Sequence, residues 1–192
     1  NLLTKAGWIK VGHGPRQNAK GEKMVLQIMT TAGNRTREMV EQVLQSQWKE
    51  VGIDIKIKNE PARVFFGQTV SQRKFPAMAL FAWISAPESV PRTTLHSNHI
   101  PSPKNNFSGQ NYTGFQNKEV DRILENLETE LNRKKRKKMW YKLQEIYSSE
   151  LPALPLYFRS NAYILPKWLK GVIPTGHQGV SSNWIENWKV ID

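Results

Sequence analysis

Residues 24–59, MVLQIMTTAGNRTREMVEQVLQSQWKEVGIDIKIKN, spell out strand, helix and strand without a break, and no other stretch restricts the fold as tightly. Residues 24–30 form a short, mostly apolar run that stops at Thr31, Ala32, Gly33 and Asn34. Asn34 stands where its side chain can accept a bond from an unpaired backbone N–H and so start a helix. Apolar residues then recur at Val40, Val43, Leu44, Trp48 and Val51. Steps of three and four predict that these side chains share one helical face. Gly52 supplies a left-handed stop. Beyond it Ile53, Ile55 and Ile57 alternate with Asp54, Lys56 and Lys58, the period of a strand with one buried face. Links this short predict a right-handed crossover between parallel strands.

Pro61 suits a helix start, and Val64, Phe65 and Val70 follow at mixed helical spacing before Phe75-Pro76 ends the pattern. Residues 77–83 are continuously apolar, which predicts a buried, central parallel strand and completes half of an open α/β sheet. Ligands of such sheets sit beyond the carboxyl ends of the strands, here after Thr30, Asn59 and Trp83. Residues 84–114 are rich in Pro, Ser and Asn and read as one long functional loop. Asn117 then caps a helix with Val120, Ile123, Leu124, Leu127 and Leu131 on one face. Asn132 opens a second, basic helix with Met139, Trp140, Leu143, Ile146 and Tyr147 on its apolar face, giving a helical hairpin. Residues 151–166 are apolar and aromatic with prolines at the edges, and predict one or two strands returning to the sheet.

A chain of 192 residues is long enough to bury a core without metal or disulfide staples, so a single α/β lobe over 1–192 is expected. Leu2, Leu3 and Ala6 read as the last turn of a helix ending at Gly7, and the chain is expected to be a fragment of a longer protein. The absence of cysteine excludes disulfides, zinc–thiolate sites and thiol catalysis. No apolar run approaches the ~20 residues of a membrane-spanning helix.

The net charge of +12 raises an alternative reading, a basic interaction domain for polyanions or nucleic acid. Six of the cations lie together at 133–138, as the solvated first turns of the second helix. Screening over ~8 Å keeps such a patch local. No helix-turn-helix, zinc-finger or RNP-type pattern accompanies it, so nucleic acid is not an expected partner.

Catalytic signatures are missing: there is no G-x-S-x-G elbow, no Walker-type or G-x-G-x-x-G glycine loop, and the four histidines are scattered. No enzyme activity and no cofactor are expected. His96 and His99 are three apart and would offer two imidazoles to a metal on a helix. Their stretch reads as loop without nearby carboxylates, so they are expected to be exposed, and no metal site is assigned. Trp83, at the start of the long loop, is placed to stack on or wall off a ligand. Asn111 and Tyr112, where the loop returns, offer amide and aromatic contacts, and Phe115 reads as a hydrophobic staple ahead of Asn117.

Several blocks taken together resemble a known family. They are Ala6-Gly7-Trp8 at a helix end, residues 30–34 (TTAGN) before the long helix, 45–57 (QSQWKEVGIDIKI), Phe65-Phe66, Phe81-Ala82-Trp83, 114–121 (GFQNKEVD) and 151–157 (LPALPLY). In this order they resemble the C-terminal lobe of the family 5, peptide/nickel-type extracellular solute-binding proteins of ABC importers. The resemblance implies a periplasmic-binding-protein-like (type II) lobe with a mostly parallel sheet flanked by helices. It also implies a second, N-terminal lobe of the same protein, a small solute such as a peptide held in an interlobe cleft, and delivery to an ABC permease. The implied location is the periplasm or the extracellular face of a bacterial membrane. Cleft residues implied here are Trp83, Ser85, Asn111 and Tyr112. In peptide-binding members an Asp three residues after the matching Trp pairs with the peptide's amino terminus. That place is Ala86 in this chain, with Glu88 as the nearby carboxylate.

Overall fold

The computed structural model describes residues 2–84, 86, 89–158, 162–174 and 182–191. In chain order the elements are α1 (Leu2–Lys5), β1 (Val25–Met29), α2 (Arg35–Glu50), β2 (Asp54–Ile57), α3 (Ala62–Val64) running into a π-helix (Phe65–Val70), β3 (Met78–Ala79), α4 (Arg92–Leu95), α5 (Lys118–Thr129), α6 (Arg133–Glu150), β4 (Leu169–Lys170) and β5 (Lys189–Val190). Short 3-10 turns occupy Ser97–His99, Pro103–Asn105 and Ile185–Asn187. They group into two compact units, Asn1–Ala82 with Ser97–Phe115, and Trp83–His96 with Gln116–Asp192.

The first unit is built on a parallel sheet of order β2-β1-β3. Val25 pairs with Asp54 and Ile28 with Ile57 on one side of β1, and Ile28 with Met78 on the other. The central strand is therefore β1, and the 77–83 run lies at the sheet edge. It keeps only two residues in strand pairing, and Met78, Ala79 and Leu80 are half-buried. Of this run, Ala79 and Phe81 pack on a cluster of Met29, Phe65 and Val70, so an edge strand is covered by side chains instead of a second strand.

Helix α2 starts where Asn34 predicts: the Asn34 side chain accepts from the Arg37 N–H. Its stop is also as expected, with Gly52 at φ +87°. The buried face differs from the apolar pattern. Val40, Leu44 and Trp48 are half-buried, Val43 and Val51 are exposed, and the one fully buried residue is Glu41. Val43 lies about 200° round the helix from Glu41, so the two cannot face the sheet together. Gln45 donates to the Ile55 carbonyl at 2.7 Å and fastens the helix to β2. Buried Arg16 closes the far end, donating to Val51 O at 2.7 Å and Trp8 O at 2.9 Å.

The mixed spacing after Pro61 has a specific cause. Phe65 and Val70 are five apart and both completely buried, and the π-helix between them turns them to the same side. The Lys74 N–H bonds the Thr69 carbonyl, five residues back, at 2.7 Å.

In the second unit α5 and α6 pack as the predicted hairpin. Asn117 accepts from the N–H groups of Glu119 and Val120 at 2.9 and 3.1 Å, and Asn132 from those of Lys134 and Lys135. Val120, Leu124 and Leu127 of α5 and Leu143 and Ile146 of α6 are buried. Leu131 lies beyond the helix and is exposed. Asn117→Ala removes both cap bonds and is expected to lower the unfolding free energy by about 1 kcal/mol in urea denaturation. An unchanged midpoint would show that the cap is redundant.

The cationic run is partly committed to this hairpin. Arg136 donates to the Leu127 and Glu130 carbonyls and so caps the end of α5, Lys135 pairs with Glu130 at 3.6 Å, and Lys137 lies over the Tyr141 ring. Three other expectations change. The 84–114 stretch is not one loop but holds α4 and two 3-10 turns. Residues 151–158 contain no strand and are mostly exposed, and the two-stranded pairing that does occur is β4 with β5. His96 is buried rather than exposed: ending α4, its ring lies 3.2 Å from Glu125 and 3.7 Å from Asp121 of α5, while Arg92 pairs with Glu128 at 2.8 Å. Carboxylates remote in sequence thus meet it in space. Among the described residues no group of three His, Cys, Asp or Glu is arranged to hold a metal, and no helix is long and apolar enough to cross a membrane.

Candidate ligand-binding edge

The carboxyl ends of β1 and β2 run into Thr30–Thr31 and Asn59–Glu60, and these four polar residues are tied to one another. The Thr30 N–H donates to Asn59 Oδ1 at 2.9 Å, and the Thr30 hydroxyl donates to the Leu80 carbonyl at 2.6 Å, past the end of β3. Ala32 N–H reaches the Glu60 carbonyl at 2.7 Å, and Glu60 N–H reaches Thr30 O at 3.2 Å. Thr69 Oγ1 donates to Glu60 Oε2 at 2.5 Å, and Arg37 Nη1 to Thr31 Oγ1 at 3.1 Å. Thr30 and Thr31 are buried by these contacts, whereas Ala32 and Gly33 are exposed. The result is a fixed polar ledge ending in an accessible turn, at the end of the sheet where α/β proteins bind ligands.

Beside it lies an aromatic cluster. Met29, Phe65 and Val70 form its buried base, with Phe75, Ala79, Phe81 and Tyr112 packed on it. Phe65 meets Phe66 edge-on at 5.0 Å and Phe81 at 6.3 Å, and Phe81 meets Tyr112 at 6.1 Å. Burial pushes the Tyr112 hydroxyl pKa above its ordinary value. The Tyr112 carbonyl accepts from Arg73 Nε at 3.0 Å.

Of the residues expected to meet a ligand, Asn111 and Tyr112 belong to this first unit. Asn111 is completely buried: its Oδ1 accepts from the Phe115 N–H at 3.0 Å and its Nδ2 donates to the Phe115 carbonyl at 2.8 Å. That amide shapes the returning loop. Trp83 opens the second unit and is about half exposed. Ser85 and Glu88 lie outside the described residues, as does His177. Sequence reasoning passed over Glu41, buried behind the ledge; its one available signal was helical geometry, three residues before Leu44 and seven before Trp48. Two surface hollows lie near the opposite end of β2, one of about 220 Å³ lined by His13, Lys49 and Asp54 among others.

The class of protein follows from structural likeness. The chain matches an oligopeptide-binding protein from Thermus thermophilus, in a crystal structure with a pentapeptide, at 34% identity and TM-score 0.78, over 90% of this chain and 31% of that one. NikZ from Campylobacter jejuni, in complex with Ni(L-His), shares the fold at TM-score 0.72 and 22% identity, over 98% of this chain and 37% of that one. This chain shares its α/β fold with both. Residues 1–102, more than half of the chain, match the family described as bacterial extracellular solute-binding proteins, family 5 middle. The chain belongs to the family 5 extracellular solute-binding proteins. The oligopeptide-binding protein AppA of Bacillus subtilis strain 168 is 25% identical over 175 residues, 88% of this chain and 30% of its own. The chain thus spans roughly a third of the length of the relatives it matches.

Proposed function

We propose that this chain is one lobe, the C-terminal one, of a two-lobed substrate-binding protein. It captures a peptide or similar small solute between the lobes and passes it to the permease of an ABC importer at the outer face of a bacterial membrane. The observation that carries the reading is the 34% identity, over 90% of this chain, to a protein solved with a pentapeptide. The ledge at 30–33 and the Phe81–Tyr112 surface supply what such a lobe needs, a polar backbone edge beside an aromatic wall. Trp83 and Tyr112 serve as aromatic contacts, Ser85 as a polar one, and Asn111 holds the loop that presents Tyr112. The activity is binding and closure, with no bond made or broken.

The test is calorimetric titration of the full-length protein with a peptide identified by mass spectrometry of what co-purifies with it. Trp83→Ala is expected to weaken binding about tenfold, the size of a modest aromatic hot spot. The 192-residue chain alone is expected to bind at least about a hundredfold more weakly, because lobe closure is lost. Because Ala86 lacks a carboxylate, free and N-acetylated forms of the peptide are expected to bind alike; a preference for the free amine would assign that pairing to another carboxylate such as Glu88. Equal, tight binding by the isolated chain would overturn the two-lobe reading.

A further inference from the structure

The binding reading leaves a buried carboxyl unused. Glu41 is completely buried; its Oε2 accepts from Asn59 Nδ2 at 2.8 Å, and its Oε1 has no hydrogen-bond partner among the described residues. Asn59 is the residue whose Oδ1 accepts the Thr30 N–H at 2.9 Å. A chain of two hydrogen bonds therefore runs from the inner face of α2 through the end of β2 to the ledge. From Thr30 it continues across β1 to the Leu80 carbonyl.

We propose that Glu41 is a positioning residue for the ligand-facing ledge, holding Thr30 in place through Asn59, and that it does so as the neutral acid. The part of this that concerns ligand rests on the proposed function. A carboxylate cut off from water and given one hydrogen bond is poorly compensated in its charged form. Burial pushes the Glu41 carboxyl above the ordinary range, the Asn59 bond pulls it partly back, and Glu38 one turn earlier adds repulsion. From the segment that follows β2, Asn59 meets Glu41. Asp54 and Lys56 of β2 pair with each other at 2.9 Å, and Glu60 is occupied by Thr69. An acid with a raised value in the folded protein lends its support fully below the usual carboxylate range and loses it as pH rises through the raised value. Ionisation strengthens the Asn59 bond but leaves the charge on Oε1 uncompensated, which draws the Glu41 side chain, and Asn59 bonded to it, toward water. The ledge is therefore firmest in acid and loosens on ionisation of Glu41.

Amide hydrogen exchange over residues 28–33 in the full-length protein reads this directly, compared across wild type, Glu41→Gln and Glu41→Leu at each pH. Glu41→Gln keeps an acceptor for Asn59 but cannot ionise. Wild type and Glu41→Gln are expected to protect the segment equally near pH 4, with wild type falling behind by about tenfold at higher pH. Glu41→Leu, similar in volume and free of the buried carboxyl, is expected to be less protected than Glu41→Gln throughout. Identical protection in all three at every pH would overturn the proposal. Titration of the three proteins with a random pentapeptide pool supplies the second readout: affinity should follow the exchange pattern, and affinity indifferent to it would remove the ledge from the binding surface. If wild type binds no peptide while the exchange pattern holds, the peptide reading fails and the hold of Glu41 on Thr30 stands.

Discussion

Phe65→Ala is expected to lower the unfolding free energy by about 3–5 kcal/mol, the usual penalty for emptying a large aromatic site in a packed core. Phe65 is completely buried at the base of the aromatic cluster, in edge-on contact with Phe66 and Phe81 at interplanar angles of 77° and 74°. Its loss removes the floor under Phe81, and with it the neighbour of Tyr112. Urea denaturation should show a lower midpoint with an unchanged slope. Phe158→Ala, at a fully exposed ring, is the matched control and should stay within about 0.5 kcal/mol of wild type. A similar, small loss in both variants would mean that the cluster is not a core.

The second large effect is expected at Gly109, where the chain returns toward Asn111. Its φ is +102°, and a Cβ there would stand 2.1 Å from the His99 carbonyl oxygen, far inside contact distance. That same carbonyl accepts the Asn111 N–H at 3.0 Å. Gly109→Ala therefore combines a left-handed backbone penalty with a backbone clash, and is expected to cost at least about 2 kcal/mol and to displace the Asn111–Tyr112 turn. Gly14→Ala, with open space around the added carbon, should leave thermal stability nearly unchanged. Equal melting temperatures for the two variants would contradict the geometry at His99.

What the sequence made legible was local. Asn34, Asn117 and Asn132 cap their helices within three residues of themselves, and Ile55 is buried between exposed or half-buried neighbours as the alternation predicts. Two of the family blocks, 45–57 and 114–121, overlap these same elements. The features that escaped depend on partners far along the chain. Glu41 is buried because Asn59 meets it, eighteen residues later, and His96 because Asp121 and Glu125 come to it on α5. Within the 77–83 run, Phe81 packs on Phe65 and Phe66, and β3 has one strand neighbour rather than two. Asn111 was legible as a loop-return residue, but its amide's engagement with Phe115 shows only in space.

The π-helical turn at Phe65–Val70 also works as a length gauge. Five residues separate two side chains that must enter one core, whereas an ordinary helix would use four. Gly67 and Gln68, on the outer side, are exposed. Deleting one of them would restore the common helical repeat and still bring both side chains inward, so this turn has the form of a one-residue insertion absorbed without disturbing the core. A one-residue deletion is therefore expected to be tolerated here, immediately beside the aromatic wall.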